Sequence, residues 1–133
     1  MNQQTDTPAL TFTTLLSPTP RGASRARQLT AEQLRRWGTP LTPATQIVAE
    51  LATNAATHGR VAGRSFRLAL HLADDILRLE LTDTRGDDLP QLPTLTEESD
   101  SGRGLLLVDS LATRWGWREG PSPCKTVWAE VDL

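Results

Sequence analysis

Residues 66–83, FRLALHLADDILRLELTD, restrict the fold more than any other stretch of this 133-residue chain. Phe66, Leu68, Leu70 and Leu72 alternate with other residues, and so do Leu77, Leu79 and Leu81. A period of two gives each segment one apolar face, as in a strand that is buried on one side. Ala73-Asp74-Asp75 is too short a link for anything but a turn, so the two strands pair antiparallel as a hairpin. A sheet with one apolar face needs a cover, and the rest of the chain supplies helices.

LTFTTLL, residues 10–16, reads as a further short strand. The segment 17–40 reads as a helix that Thr19-Pro20 starts and Gly38 with Pro40 stops. Arg21, Arg25, Arg27, Arg35 and Arg36 lie on it. Their plain reading is a solvated face, and the sharper one is a docking surface for an acidic partner. A second helix starts at Thr42-Pro43 and ends near Gly59. A polar stretch follows the hairpin over residues 84–102, a length typical of functional loops. RGLLLVDSLATRW then reads as a helix opening at the glycine pair Gly102 and Gly104. RWGWRE and KTVWAEVDL read as two more strands, with Val127, Ala129, Val131 and Leu133 on one face of the last. The expected fold is α+β, a two-layer sandwich of a mostly antiparallel sheet with helices on one face. Residues 9–133 form one domain behind a polar, flexible N-terminus over residues 1–8.

Composition narrows the function. The net charge of −2 argues against a general nucleic-acid binder, which carries a basic excess. Cys124 is the single cysteine, so no internal disulfide forms. With two Phe and no Tyr, the four Trp are expected to help Leu, Val and Ala fill the core. No basic-then-apolar leader opens the chain and no apolar run reaches the roughly 20 residues of a spanning helix, so a soluble cytoplasmic protein is expected, with no membrane partner.

The second helix carries an anomaly. Residues four apart on a helix drift by only ~40°, so Glu50, Asn54, Thr57 and His58 share a polar stripe. Ala44, Val48, Leu51 and Ala55 form an apolar stripe beside it. Asn inside a helix costs a few tenths of a kcal/mol relative to Ala. A side-chain task would account for it: an amide oxygen suits a hard cation such as Mg²⁺, and a carboxylate one turn earlier can orient or deprotonate a nucleophile. An ordinary amphipathic helix accounts for the same pattern. Asp83 ends a strand, where a carboxylate can accept from an exocyclic amine or simply begin a turn. Gly102 and Gly104 would let backbone N–H groups approach a phosphate at a helix start.

In this order, the motifs resemble those of the GHKL ATP-binding superfamily, and at this size its small anti-sigma-factor serine/threonine kinases. The resemblance runs from about residue 10 to the end. ELATNAATHG is similar to the family's N-box, SGRGLLLVDSLATRWG to its second glycine box, and KTVWAEV to its closing strand. It implies a histidine kinase-like ATPase fold with ATP and Mg²⁺ as cofactors. Asn54 would coordinate the Mg²⁺ that bridges the phosphates, and Glu50 would be the general base. Asp83 and Thr126 would hold adenine, with Gly86 in the first glycine box. Gly102, Arg103, Gly104 and Leu105 would meet the phosphates, and His58 would lie near the nucleotide or pack. Implied partners are a sigma factor and its antagonist, with a possible homodimer. One departure stands out: where the family has D-x-G-x-G, this chain has Asp83-Thr84-Arg85-Gly86-Asp87, ahead of a lid over residues 87–101. The alternative is therefore a non-catalytic module that regulates transcription by binding a partner.

Overall fold

The computed structural model describes residues 9–58, 65–83, 100–119 and 125–133, and of Thr57, His58 and residues 100–104 the backbone alone. The expected loose N-terminus, the end of the second helix at Gly59, Gly86 with its neighbours and most of the lid lie outside the described residues. The elements run β1 (Leu10–Leu16), α1 (Pro20–Trp37), α2 (Ala44–His58), β2 (Phe66–Ala73), β3 (Ile76–Asp83), α3 (Asp100–Leu111), β4 (Arg114–Glu119) and β5 (Lys125–Asp132).

Local chemistry sets most of the boundaries. Thr19 caps α1, its Oγ1 accepting from the Gly22 N–H at 3.0 Å, and Pro20 fills a first-turn position whose N–H would have no helical partner. At the other end Gly38 takes φ +72°, and its N–H donates to the Arg35 carbonyl. Thr30, buried inside α1, satisfies its hydroxyl by donating to the Ala26 carbonyl at 2.8 Å. In the hairpin, Asp74 and Asp75 adopt φ of 53° and 62° between the paired Ala73 and Ile76. Positive φ at both central residues is the two-residue turn whose twist matches the flanking strands. The third helix differs from expectation: it starts at Asp100, ahead of the glycine pair.

The five strands form one antiparallel sheet in the order β1-β2-β3-β5-β4. The last strand in sequence thus lies inside the sheet, between β3 and β4. Leu68, Leu70, Leu77, Leu79, Leu81, Ala129 and Val131 are buried on the face that carries the helices. They meet Ala23, Ala26 and Leu34 of α1, a stripe from Ala44 to Ala52 of α2, and Val108 of α3. Trp37 and Trp115 pack against this core, whereas Trp117 is 47% exposed and Trp128 sits on the opposite face. The expectation that all four Trp fill the core is corrected there: Trp128 lies beneath the Arg78 guanidinium at 4.4 Å.

That opposite face is a charge ladder, as a half-solvated sheet allows. Arg78 bonds Glu80 at 2.7 Å and Glu130 at 2.9 Å, Arg114 bonds Glu130 at 2.8 Å, and Arg114 also reaches Asp132. The two guanidiniums, Arg114 first and then Arg78, hold the Glu130 carboxyl below the usual carboxylate range. Among the described residues, no helix is long and apolar enough to cross a membrane.

Candidate nucleotide-binding site

Helix α2 carries the first group of candidates. Backbone carbonyls of Leu41 and Pro43 accept from Thr45 and Ile47 and close its first turn. Ala44, Ile47, Val48, Leu51, Ala52 and Ala56 are buried, and Ala55 is half-buried at the border. The apolar stripe is therefore wider than expected and pins the helix to β3 and β5. Glu50 and Asn54 are half-buried, one turn apart, beside that stripe. His58 ends the helix. Eight residues later the chain enters β2 at Phe66, the register partner of Asp83, so the Asn54 end of α2 is tied by a short connection to the Asp83 end of the sheet.

At that end one rung crosses all five strands: Leu16, Phe66, Asp83, Lys125 and Glu119 are successive register partners. Residues opposite one another share a face, and Asp83 continues the row Leu77, Leu79, Leu81 that faces the helices. Asp83 is half-buried and Lys125 is 6% exposed. Burial pushes the Lys125 ammonium below its ordinary value, and the Asp83 and Glu119 carboxylates oppose that shift.

The same register corrects the reading of Thr126. It pairs with Thr82, one residue off the Asp83 rung, so its side chain lies on the opposite face. Its hydroxyl is spent there in a buried 2.8 Å hydrogen bond with Thr82. The residue that the sheet brings beside Asp83 is Lys125. Tracing the alternation of Val127, Ala129 and Val131 back by two residues leads to Lys125, so the signal lay in the sequence.

Helix α3 packs against α2 and contributes the third group. The free N–H groups of a helix belong to its first turn. Starting at Asp100, α3 keeps Gly102 among those positions and puts Gly104 past them, with Arg103 between. Leu105 is 1% exposed and so is buried. Gly86 falls outside the described residues. Among the described residues, no group of three His, Cys, Asp or Glu is arranged to hold a metal. The donor that fits one is the Asn54 amide: Mg²⁺ shared with phosphates takes one or two protein oxygens and fills its shell from phosphates and water.

No curated protein matches the chain. The chain is similar in structure to the RsbU and RsbW domains of Rv1364c from Mycobacterium tuberculosis, at 22% identity and a TM-score of 0.68. That match covers 96% of this chain and 33% of the other, so the chain spans about a third of the structure it resembles, and at this identity the likeness is one of fold. The family model of the histidine kinase-like ATPase domain matches residues 16–130, a span that takes in α2, Asp83, α3 and Lys125. The chain belongs to the histidine kinase-like ATPase domain family.

Proposed function

We propose that the chain is an ATP-binding regulatory protein of the anti-sigma-factor type: a Mg·ATP-dependent serine/threonine kinase that modifies a small anti-sigma-factor antagonist and sequesters a sigma factor. The observation that carries this reading is the Glu50–Asn54 pair, one turn apart on α2, inside the family match over residues 16–130. The likeness to a chain with RsbU and RsbW domains supports the same reading.

In this reading Glu50 accepts the proton of the attacking hydroxyl, and the Asn54 amide oxygen gives Mg²⁺ one of its ligands. Bound Mg²⁺ supplies neutralisation of the charge on the transferring phosphoryl group. Asp83 accepts from the adenine amine. The first turn of α3, at Gly102, turns free N–H groups toward phosphate, and Arg103 adds a cation near that turn. His58, ending α2, borders the site. The five exposed arginines of α1, set against the single acid Glu32, suit an acidic protein partner. The setting is cytoplasmic.

Labelled ATP and a candidate antagonist test this directly. Glu50→Ala is expected to lose at least about 100-fold in phosphotransfer, while its Mg·ATP affinity changes little. Asn54→Ala is expected to lose both. Full phosphotransfer by Glu50→Ala overturns the base assignment. Arg85 and Asp87, standing where the family has glycines, favour a second reading, a non-catalytic partner-binding module. Calorimetry separates the two: absence of heat with Mg·ATP and absence of competition by ADP would leave the module.

A further inference from the structure

We propose that Lys125 sets which purine this site accepts: it puts a hydrogen-bond donor beside the Asp83 acceptor, so that guanine nucleotides are admitted as well as adenine nucleotides. The inference rests on the nucleotide-binding reading above and concerns the base end of that site.

Asp83 and Lys125 are direct register partners on neighbouring strands, on the face that carries the helices. Directly opposed residues hold their Cβ atoms about 4.5–5.5 Å apart, within easy reach of a lysine and a carboxylate. Glu119 stands on the far side of Lys125 in the same rung. A lysine that is 6% exposed keeps its charge only among carboxylates, and this rung provides one on each side. An ammonium has three donors and a carboxylate about four lone-pair positions, more than a single bond between the two uses.

A carboxylate alone can only accept. It suits the amino group at position 6 of adenine and repels the oxygen that guanine carries there. Sites with a single hydrogen-bond sense reject the wrong partner because a polar group is left unpaired. The Lys125 ammonium removes that mismatch. Guanine O6 accepts from Lys125, while the guanine N1–H and 2-amino group donate to Asp83. Adenine donates its 6-amino group to Asp83 and accepts from Lys125 on a ring nitrogen. Both purines are then satisfied at the same rung.

The test is the dissociation constant of Mg·ATP and of Mg·GTP for the wild-type chain and for Lys125→Thr, Lys125→Met and Lys125→Arg, each verified as folded by circular dichroism. The wild type is expected to bind the two nucleotides within about tenfold of one another. Lys125→Thr and Lys125→Met are expected to raise the preference for ATP by at least about tenfold, chiefly through loss of GTP. Lys125→Arg, which keeps the donor, is expected to hold the wild-type ratio and serves if the neutral variants fail to fold. A wild type that prefers ATP by more than about 100-fold overturns the proposal, as does an unchanged ratio in the neutral variants or loss of GTP in Lys125→Arg. If the wild type binds neither nucleotide, the nucleotide-binding reading itself falls.

Discussion

Gly22→Ala sets two physical effects against each other, and the structure decides between them. Gly22 lies in the first turn of α1, where alanine improves helix propensity by up to about 1 kcal/mol. A Cβ built there would lie 1.8 Å from the Ser17 carbonyl oxygen and 2.8 Å from Ser17 Oγ. The oxygen belongs to backbone, so the segment ahead of the helix must retreat by about 1.2 Å before the contact reaches even 3.0 Å. That segment is the cap. The Ser17 carbonyl accepts from the Thr19 N–H at 2.9 Å, and Ser17 Oγ bonds Thr19 Oγ1 at 2.9 Å. Loss of a threonine N-cap costs about 1 kcal/mol, and overpacking a buried position about 1–3 kcal/mol. Set against the propensity gain, the net effect is a destabilisation of roughly 2 kcal/mol, or about 6–10 °C in Tm for a domain of this size. Urea denaturation followed by tryptophan fluorescence and by far-ultraviolet dichroism measures it. A Gly22→Ala chain as stable as the wild type, or more so, would refute the reasoning, because propensity would then outweigh the contact.

Three further substitutions probe the core, the ladder and the site. Leu34→Ala removes a side chain with 0% exposure and is expected to cost about 2–5 kcal/mol in urea melts. Glu130→Gln addresses the acid limb: the folded-state pKa of Glu130 is depressed, so its contribution is present above the unfolded value near ~4.3 and is lost as pH falls through the folded value. The stability gap between wild type and Glu130→Gln should therefore be wide at neutral pH and narrow in acid, and a gap independent of pH would count against the ladder. Thr126→Val strips one hydroxyl from the buried pair with Thr82 and is expected to cost about 1–2 kcal/mol of stability while leaving Mg·ATP affinity unchanged. A variant of full stability and weakened affinity would return Thr126 to the base pocket.

What could be read in the sequence is what depends on neighbours along the chain. The alternation at 66–83, the cap at Thr19-Pro20 and the stop at Gly38 rest on local chemistry, and each stands where it was expected. The stripe on α2 was legible for the same reason, though Ile47, Ala52 and Ala56 widen it. What escaped depends on strand order. β5 follows β4 in sequence but lies between it and β3, so the ladder from Arg78 through Glu130 to Arg114 joins residues that no linear pattern brings together. Thr126 was assigned to the base by the resemblance of KTVWAEV to a closing strand, although the alternation of Val127, Ala129 and Val131 leads back to Lys125. Pairing with β3 fixes the register and puts Lys125 opposite Asp83.

The placement of these groups has a consequence for mechanism. Asp83 is the outward continuation of Leu77, Leu79 and Leu81, side chains no more than 4% exposed, and its strand is held by full-length pairing on both sides. Its position is therefore fixed by a buried row of the sheet. Glu50 and Asn54 ride instead on α2, whose position relative to Asp83 depends on how Ile47, Val48, Leu51 and Ala52 seat on β3 and β5. Phosphoryl transfer relies on positioning, and a misplacement of about 1 Å can cost around 100-fold in rate. Small changes in side-chain volume along the seat of α2 should therefore erode transfer before they erode base binding. In the proposed kinase reading the base contacts need only the sheet, whereas transfer needs helix and sheet held in one geometry.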